Sequence, residues 1–311
     1  MSMNSPTHLS GEITAMELHH WLDSGKPLML INVMGEGCFA ETHIPGSARA
    51  CVYETAFLDQ VDQLNPDTGA SIVVYGNHSQ SLASQVAAEK LLAAGHTHVY
   101  DFRGGVDDWI AAGYEIQGEG PKATPPDPLS GTFNLDTDRS VVRWTGRNLL
   151  NHHEGTAPLV AGEIEVKSGE LVRCHFQVDL RLITCADLTD TSLRTMLIHH
   201  LMDADFFDVA KHPTAEFTST SAKPLSEATP GMPNYELTGD FTLRGQTHSI
   251  TFPAVIGSSD PNTIAGQAEI DLDRTRWGAL YGSGKFFDRL GGHLVNDLIH
   301  LHLKIVANLK D

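Results

Sequence analysis

The sequence predicts two domains, a parallel α/β sheet followed by an antiparallel β-sheet that rolls into a sandwich or a barrel and carries one helical insertion. The chain has 311 residues, about twice the length of a typical domain. Apolar runs alternate with helical patterns in its first half, whereas apolar and polar residues alternate one by one in its second half. A stretch rich in proline and glycine, residues 118–130, predicts a linker between domains 1–117 and 131–311.

In the first half, short apolar runs predict buried strands at residues 28–33 (LMLINV), 71–75 (SIVVY) and 98–102 (HVYDF). Residues 81–95 carry apolar side chains at helical spacing, and Gly95 closes the predicted helix. Strands that alternate with helices in this way are typical of a parallel sheet covered by helices.

In the second half the apolar period changes to two, which predicts strands with one apolar face. Two strands carry the following apolar faces: Val172, Cys174, Phe176, Val178 and Leu180 in the first, and Ile299, Leu301, Leu303, Ile305, Ala307 and Leu309 in the second. An antiparallel sheet of such strands must curl to bury its apolar side. The predicted helical insertion at 191–207 has these apolar residues at helical spacing: Leu193, Met196, Leu197 and Leu201.

Composition restricts the class of partner. The formal net charge of −18 repels phosphate backbones and anionic lipid headgroups, so we expect no nucleic-acid partner and an apolar or neutral small molecule instead. The first ten residues have neither a basic region nor an apolar run, and no apolar stretch is long enough to span a membrane. This predicts a cytoplasmic protein. The four cysteines have no paired spacing, which predicts free thiols.

The first half resembles the rhodanese-like family through ETHIPGSARA at 41–50, the strand, loop and helix at 71–95, and RGGVDDWIAAGY at 103–114. That family places a nucleophilic cysteine in a loop whose backbone N–H groups point inward at a helix N-terminus. In this chain the loop contains no cysteine and reads Gly76, Asn77, His78, Ser79, Gln80 and Ser81. The resemblance therefore implies a catalytically silent domain that serves as a regulatory or docking module for a protein partner, or as a homodimerising scaffold.

Two enzymatic alternatives remain for this domain. Depending on the length assigned to the loop, the family's nucleophile position falls on Gly76 or on Ser81, and a serine there needs a base such as His78. Cys38, which precedes the HIPG motif, is the other candidate for a sulfurtransferase-like or phosphatase-like nucleophile.

The second half resembles the YceI-like family through four segments in order, at residues 131–146, 199–220, 235–253 and 271–287. The resemblance implies a lipocalin-like antiparallel barrel that holds an isoprenoid, a quinone or a fatty chain without catalysing a reaction. Apolar and aromatic residues on the inward face would form the ligand site. The predicted ligand-binding residues are Trp144, Phe176, Val178, Leu201, Phe206, Phe217 and Phe252.

Polar residues of the second half leave two further questions open. His153 and His200, each part of a histidine pair, are candidate ligands for a divalent metal such as zinc, nickel or copper, with Glu154 or Asp187 completing the shell. Such a site would allow a metal-dependent hydrolase. A charged set around the same motifs either clamps a polar headgroup or ties loops to the barrel: Asp205, Asp208, Arg244, Arg274 and Arg276.

Overall fold

The computed structural model describes residues 11–120 and 128–310. The chain divides into two compact units between residues 125 and 126. Most of the predicted linker, residues 121–127, lies outside the described residues, so the domain boundaries 1–117, 118–130 and 131–311 stay a prediction. No described helix is long and apolar enough to cross a membrane.

The first unit is a parallel sheet whose strands follow the order β1-β5-β4-β2-β3, with helices between them. The strands are β1 (Gly11–Glu12), β2 (Met29–Asn32), β3 (Ala48–Arg49), β4 (Ser71–Tyr75) and β5 (His98–Phe102). The helices are α1 (Ala15–Asp23), α2 (Glu36–Glu41), α3 (Phe57–Leu64), α4 (Ala83–Ala93) and α5 (Gly105–Ala111). The predicted α/β fold is confirmed.

Strand β4 explains why the sheet carries helices on both faces. Ile72 and Val74 pack into a cluster with residues of α3 and α4, whereas Val73 and Tyr75 pack into a second cluster with residues of α1 and α5. Successive residues of a strand point to opposite faces of the sheet, so a strand made only of apolar residues has to be covered on both faces. Beyond β4 the chain runs through residues 76–82 into α4, and Gly95, with φ of +98°, follows the end of that helix.

The second unit consists of antiparallel strands and one α-helix. The strands are β6 (Gly131–Leu135), β7 (Val141–Arg147), β8 (His152–Ala157), β9 (Leu159–Lys167), β10 (Glu170–Asp179), β11 (Thr214–Pro224), β12 (Tyr235–Leu243), β13 (Gln246–Asp260), β14 (Thr263–Asp273) and β15 (Leu298–Leu309). The helix is α6 (Thr191–Met202), and Asp190 caps it by accepting hydrogen bonds from the backbone N–H groups of Ser192 and Leu193.

These strands close into a barrel. Strands β6 and β7 both pair with β15, and on their other side β6 pairs with β9 and β7 pairs with β8. The pair β6 and β7 and the pair β8 and β9 therefore each act as one interrupted barrel strand. The others pair in chain order, and β14 pairs with β15. Within residues 128–310 the barrel therefore has eight strands and no open seam, which confirms the predicted antiparallel barrel.

The two ends of the barrel differ. At the end that we call upper, the strands are joined by residues 148–151, 180–213, 244–245 and 274–297, a set that includes α6. At the lower end they are joined by 168–169, 225–234 and 261–262. Most of the irregular structure of this unit lies at the upper end, where loops rather than strands complete the walls.

Two predicted apolar faces are partly wrong. In β10 the register shifts between Leu171 and Arg173, so Leu171 is buried and Val172 is exposed, which reverses the alternation at the start of this strand. In α6 only Leu201 of the predicted apolar stripe is buried, while Leu193 and Met196 are 47% and 63% exposed. The helix forms over Thr191–Met202 only and not over the predicted 191–207, and it packs on the barrel with its C-terminal end.

Candidate functional site

An apolar cavity of about 130 Å³, which we call the upper chamber, lies inside the barrel beneath the loops of its upper end. Each strand from β7 to β15 contributes residues to its sides, and Leu201, Phe206 and Val295 from the upper-end segments cover it. All seven residues predicted to bind a ligand line this chamber: Trp144, Phe176, Val178, Leu201, Phe206, Phe217 and Phe252. Their assignment as ligand contacts stays a prediction, but the fold brings them together around one space.

A smaller cavity of about 50 Å³, the lower chamber, lies nearer the lower end of the barrel. Small side chains such as Ala254 and Ala268 line it, together with Cys174. Burial raises the pKa of the Cys174 thiol to about 11, against the opposing effect of its hydrogen bond with Ser219. All four cysteines have free thiols, as predicted.

Several residues of the upper chamber were not predicted. Phe207 and Ile299 had a sequence signal, because the first neighbours a predicted aromatic residue and the second lies on the apolar face of β15. Ile183 and Val295 had none, since both lie outside the strands, where no period applies.

Arg274 is a charged residue in the wall of this apolar space. Its side chain is fully buried, and it donates hydrogen bonds to the backbone oxygens of Ala279, Val295 (3.1 Å) and Asn296 (3.1 Å). Burial lowers the pKa of its guanidinium, and the carboxylates of Asp297 and Asp273 oppose this effect. The three carbonyl partners all belong to residues 274–297, so the contacts of Arg274 are those of a tie that holds this loop closed.

The other two predicted arginines make similar contacts. Arg244 donates to the backbone oxygens of Ala204 and Phe206, and Arg276 donates to the backbone oxygen of Ser249 at 3.1 Å. Of the two roles that the sequence left open, these contacts match the tying of loops to the barrel.

The two candidate metal ligands have different surroundings. His153 Nδ1 lies 2.8 Å from Asp187 Oδ2, a pair that the sequence proposed. Desolvation raises the pKa of Asp187, but hydrogen bonds from the backbone of Glu154 and from His153 outweigh it and bring this pKa to about 2. The His200 ring instead packs edge-on against Tyr281, with 4.3 Å between centroids.

No metal centre is assembled from these groups. Among residues 11–120 and 128–310, no group of three or more His, Cys, Asp and Glu side chains is placed to hold a metal ion. The metal therefore stays a prediction from the sequence.

The loop after β4 is fixed by its backbone. The carbonyl oxygens of Gly76 and Asn77 accept hydrogen bonds from Val106 and Asp107, at 3.1 and 2.9 Å. Arg103 donates to the carbonyl oxygen of Ser79 at 3.2 Å. These bonds join the loop to the segment that carries the RGG motif.

Ser81 and Cys38 lie in different settings. The Ser81 hydroxyl accepts a hydrogen bond from the backbone N–H of Ala83 at 3.2 Å, which places it at the start of α4. Cys38 lies in α2 and lines an open hollow of about 290 Å³ together with Asn77, His78 and other residues. The structure thus brings Cys38 and His78 to one hollow, whereas Ser81 is not among the described residues that line it.

The family model of the YceI-like domain matches residues 133–307, which are the strands of the barrel and its upper-end segments. The chain belongs to the YceI-like family. A model of the rhodanese-like domain matches residues 14–112 of the same chain, so the YceI-like barrel follows a rhodanese-like domain.

Curated relatives of this YceI-like chain are bacterial. A UPF0312 protein of Pseudomonas syringae pv. tomato (strain ATCC BAA-871 / DC3000) is 37% identical over 187 residues, which are 60% of this chain and 78% of the relative. A UPF0312 protein of Pseudomonas putida (strain W619) is 38% identical over 68 residues, so this match spans only 33% of the relative.

Two solved structures are similar to part of this chain. BcnA of Burkholderia cenocepacia has a TM-score of 0.45 at 20% identity and covers 56% of this chain and 99% of its own. A polyisoprenoid binding domain from Saccharophagus degradans has a TM-score of 0.41 at 10% identity and covers 57% of this chain and 98% of its own.

Proposed function

We propose that the protein is a non-enzymatic carrier that binds an apolar molecule, of the isoprenoid, quinone or fatty-chain class, in the upper chamber of its barrel. The observation that carries this proposal is the apolar cavity of about 130 Å³. Protein interiors are packed to the density of organic crystals, and few of their voids exceed a water molecule. A void of this size is therefore a candidate for occupation.

Energetics support occupation. At roughly 24 cal/mol per Å³ of empty core, a void of 130 Å³ costs about 3 kcal/mol of stability. An apolar ligand restores the missing contacts and leaves water at the same time, with a gain of roughly 0.8 kcal/mol for each buried methylene. The wall needs no charged group for this binding.

The wall also favours a ligand with a neutral head. Arg274 is the charged side chain among the described residues of the chamber wall, and three backbone carbonyls already engage its guanidinium. An anionic headgroup would have to displace some of these bonds. A neutral head, such as a hydroxyl group or a quinone ring, would not.

The test is organic extraction of protein purified without detergent, followed by mass spectrometry of the extract. The expected result is a co-purified apolar compound from the native protein and a strong reduction from Ala215→Leu, because Ala215 lines the upper chamber and is 3% exposed. Repeated extracts in which the native protein and the variant are indistinguishable would contradict the proposal.

For the rhodanese-like domain we propose a docking or regulatory role without catalysis. The loop at 76–81 has no thiol, and the Ser81 hydroxyl is engaged at the start of α4. One observation favours a second candidate function, sulfur transfer at Cys38, since Cys38 shares a hollow with His78. Glu41 and Asp107 line the same hollow, and two acidic side chains there disfavour the approach of an anionic sulfur donor such as thiosulfate.

A thiosulfate-to-cyanide assay separates these two roles. We expect the native protein to form no more thiocyanate than a Cys38→Ser variant, because the loop at 76–81, where the family places its nucleophile, contains no thiol. Turnover in the native protein that disappears in Cys38→Ser, with an unchanged melting temperature, would establish the sulfurtransferase instead.

A further inference from the structure

Three phenylalanine rings separate the two cavities of the barrel. Phe176, Phe217, Phe252 and Leu303 line both the upper and the lower chamber, and each of the three phenylalanines is at most 9% exposed. The rings of Phe217 and Phe252 lie 5.3 Å apart between centroids, at 54° to each other. We call Phe176, Phe217 and Phe252 the aromatic partition.

We propose that the aromatic partition sets the length of chain that the barrel accepts, by confining the ligand to the upper chamber. This inference rests on the proposed carrier function and narrows its ligand class. The site would take a compact apolar molecule, or the end of a longer chain, and no ligand would run through the whole barrel.

Two glycines hold the partition in place. A β-carbon at Gly162 would lie 2.6 Å from Cδ1 of Phe176, and a β-carbon at Gly239 would lie 2.5 Å from Cζ of Phe217. Each ring therefore occupies the space that a side chain would fill on the neighbouring strand. A ring seated against bare backbone has contacts on that side which it must lose in order to swing aside.

The third ring completes the barrier from another strand. Phe252 belongs to β13, and its ring packs against that of Phe217 on β11. An aromatic pair at this separation adds stabilisation beyond the burial of its area. The partition thus combines two rings fixed by glycines with one fixed by a ring contact.

The size of the upper chamber gives the expected limit. An apolar cavity of about 150 Å³ holds one benzene molecule. The upper chamber, at about 130 Å³, accordingly accepts a group of roughly six carbons. The lower chamber, at about 50 Å³, is too small for such a group and adds to the site only where the partition is removed.

Isothermal titration calorimetry with linear primary alcohols, from butanol through hexanol and octanol to decanol, tests the limit on the full chain. For the native protein we expect Kd to fall about fourfold per added methylene up to roughly hexanol, and to change little for longer alcohols. For Phe217→Ala we expect the fourfold gain per methylene to continue to octanol and decanol, because the two chambers then form one.

Substitutions at Ala268, which lines the lower chamber only, provide the matched control. Ala268→Leu alone should leave the native length profile unchanged, since the native ligand does not reach the lower chamber. In the double variant Phe217→Ala/Ala268→Leu, Kd should again change little for alcohols longer than about hexanol. If Phe217→Ala does not fold, Phe252→Leu is a smaller change that also opens the partition. We expect it to extend the gain in affinity to octanol and decanol in the same way.

Two results would contradict the proposal that the aromatic partition limits the length of the ligand. One is a native profile in which affinity keeps rising to decanol, and the other is an Ala268→Leu variant that by itself shortens the profile. Both require that alcohols bind. If no alcohol and no extracted compound binds the native chain, the carrier function itself has failed, which is a different outcome from a barrel that binds chains of every length.

Discussion

Gly155→Ala is expected to lower the free energy of unfolding of the barrel by about 3 kcal/mol, at the upper end of the usual cost of overpacking. A β-carbon at Gly155 would lie 1.8 Å from the carbonyl oxygen of Thr184 and 2.9 Å from Cζ2 of Trp144. The first of these atoms belongs to the backbone, which cannot rotate away. The residue also pairs with Trp144 across β7 and β8, so the chamber wall has to shift with it.

Differential scanning calorimetry provides the measurement, with Gly257→Ala as the matched control. Both glycines lie in strands of the barrel, but a β-carbon at Gly257 would meet nothing within 4 Å. We expect the barrel transition to fall by roughly 6–12 °C for Gly155→Ala and to stay nearly unchanged for Gly257→Ala. Equal melting temperatures for the two variants would contradict the close approach of residue 184 to β8.

Local patterns carried most of the fold prediction. Strands β4 and β5 begin and end where the apolar runs 71–75 and 98–102 do, and the alternation in β15 places Ile299, Ile305 and Ala307 among the buried residues. These features depend on the period of the side chains along one segment, which the sequence displays directly.

The wrong predictions arose from contacts between segments. Val172 is exposed because the register of β10 against β9 shifts beside it, and register belongs to a pair of strands rather than to one. Met196 is exposed because nothing in the spacing of α6 indicates how much of the helix lies on the barrel. Neither feature has a signal within its own segment.

The candidate site, like the fold, could be predicted only where the signal lies within one segment. Six of its seven predicted residues are aromatic or β-branched side chains with a clear apolar preference, and the fold brings all seven to one chamber. The division into two chambers was not predictable, since it depends on how Phe176, Phe217 and Phe252 of strands β10, β11 and β13 pack together inside the barrel, with Leu303 of β15 also between the chambers. The role of Arg274 was not predictable either, because its partners are backbone carbonyls, which leave no mark in a sequence.

Arg274→Met is expected to lower the free energy of unfolding of the barrel by about 3 kcal/mol or more, the usual cost of removing one partner from a buried charged network. Methionine retains much of the apolar stem but donates no hydrogen bond. The carbonyls of Ala279, Val295 and Asn296 would lose their donor, and Asp297 Oδ1 would lose the guanidinium that lies 3.8 Å away. A buried carbonyl left without a partner costs about 1–3 kcal/mol.

Arg276→Met is the matched control, because Arg276 lies two residues away, is exposed, donates one backbone hydrogen bond to Ser249 and has its guanidinium 5.0 Å from the centroid of the Trp277 ring. Its loss should change the free energy of unfolding by less than about 1 kcal/mol. Urea denaturation followed by tryptophan fluorescence reports on the barrel through Trp144 and Trp277, which are both buried there, while Trp21 and Trp109 of the first unit are common to the native protein and both variants.

The same variant decides between the two roles that the sequence allowed for Arg274. If Arg274 ties the loop, Arg274→Met should cause a large loss of stability. Its affinity for linear alcohols should then fall only because residues 274–297 cover the chamber less tightly. A headgroup clamp predicts the opposite, a barrel of nearly native stability that loses affinity for ligands with a polar head and retains it for purely apolar ones. Three backbone acceptors on one guanidinium favour the first outcome, since hydrogen bonds already made within the protein are not free to recognise a ligand.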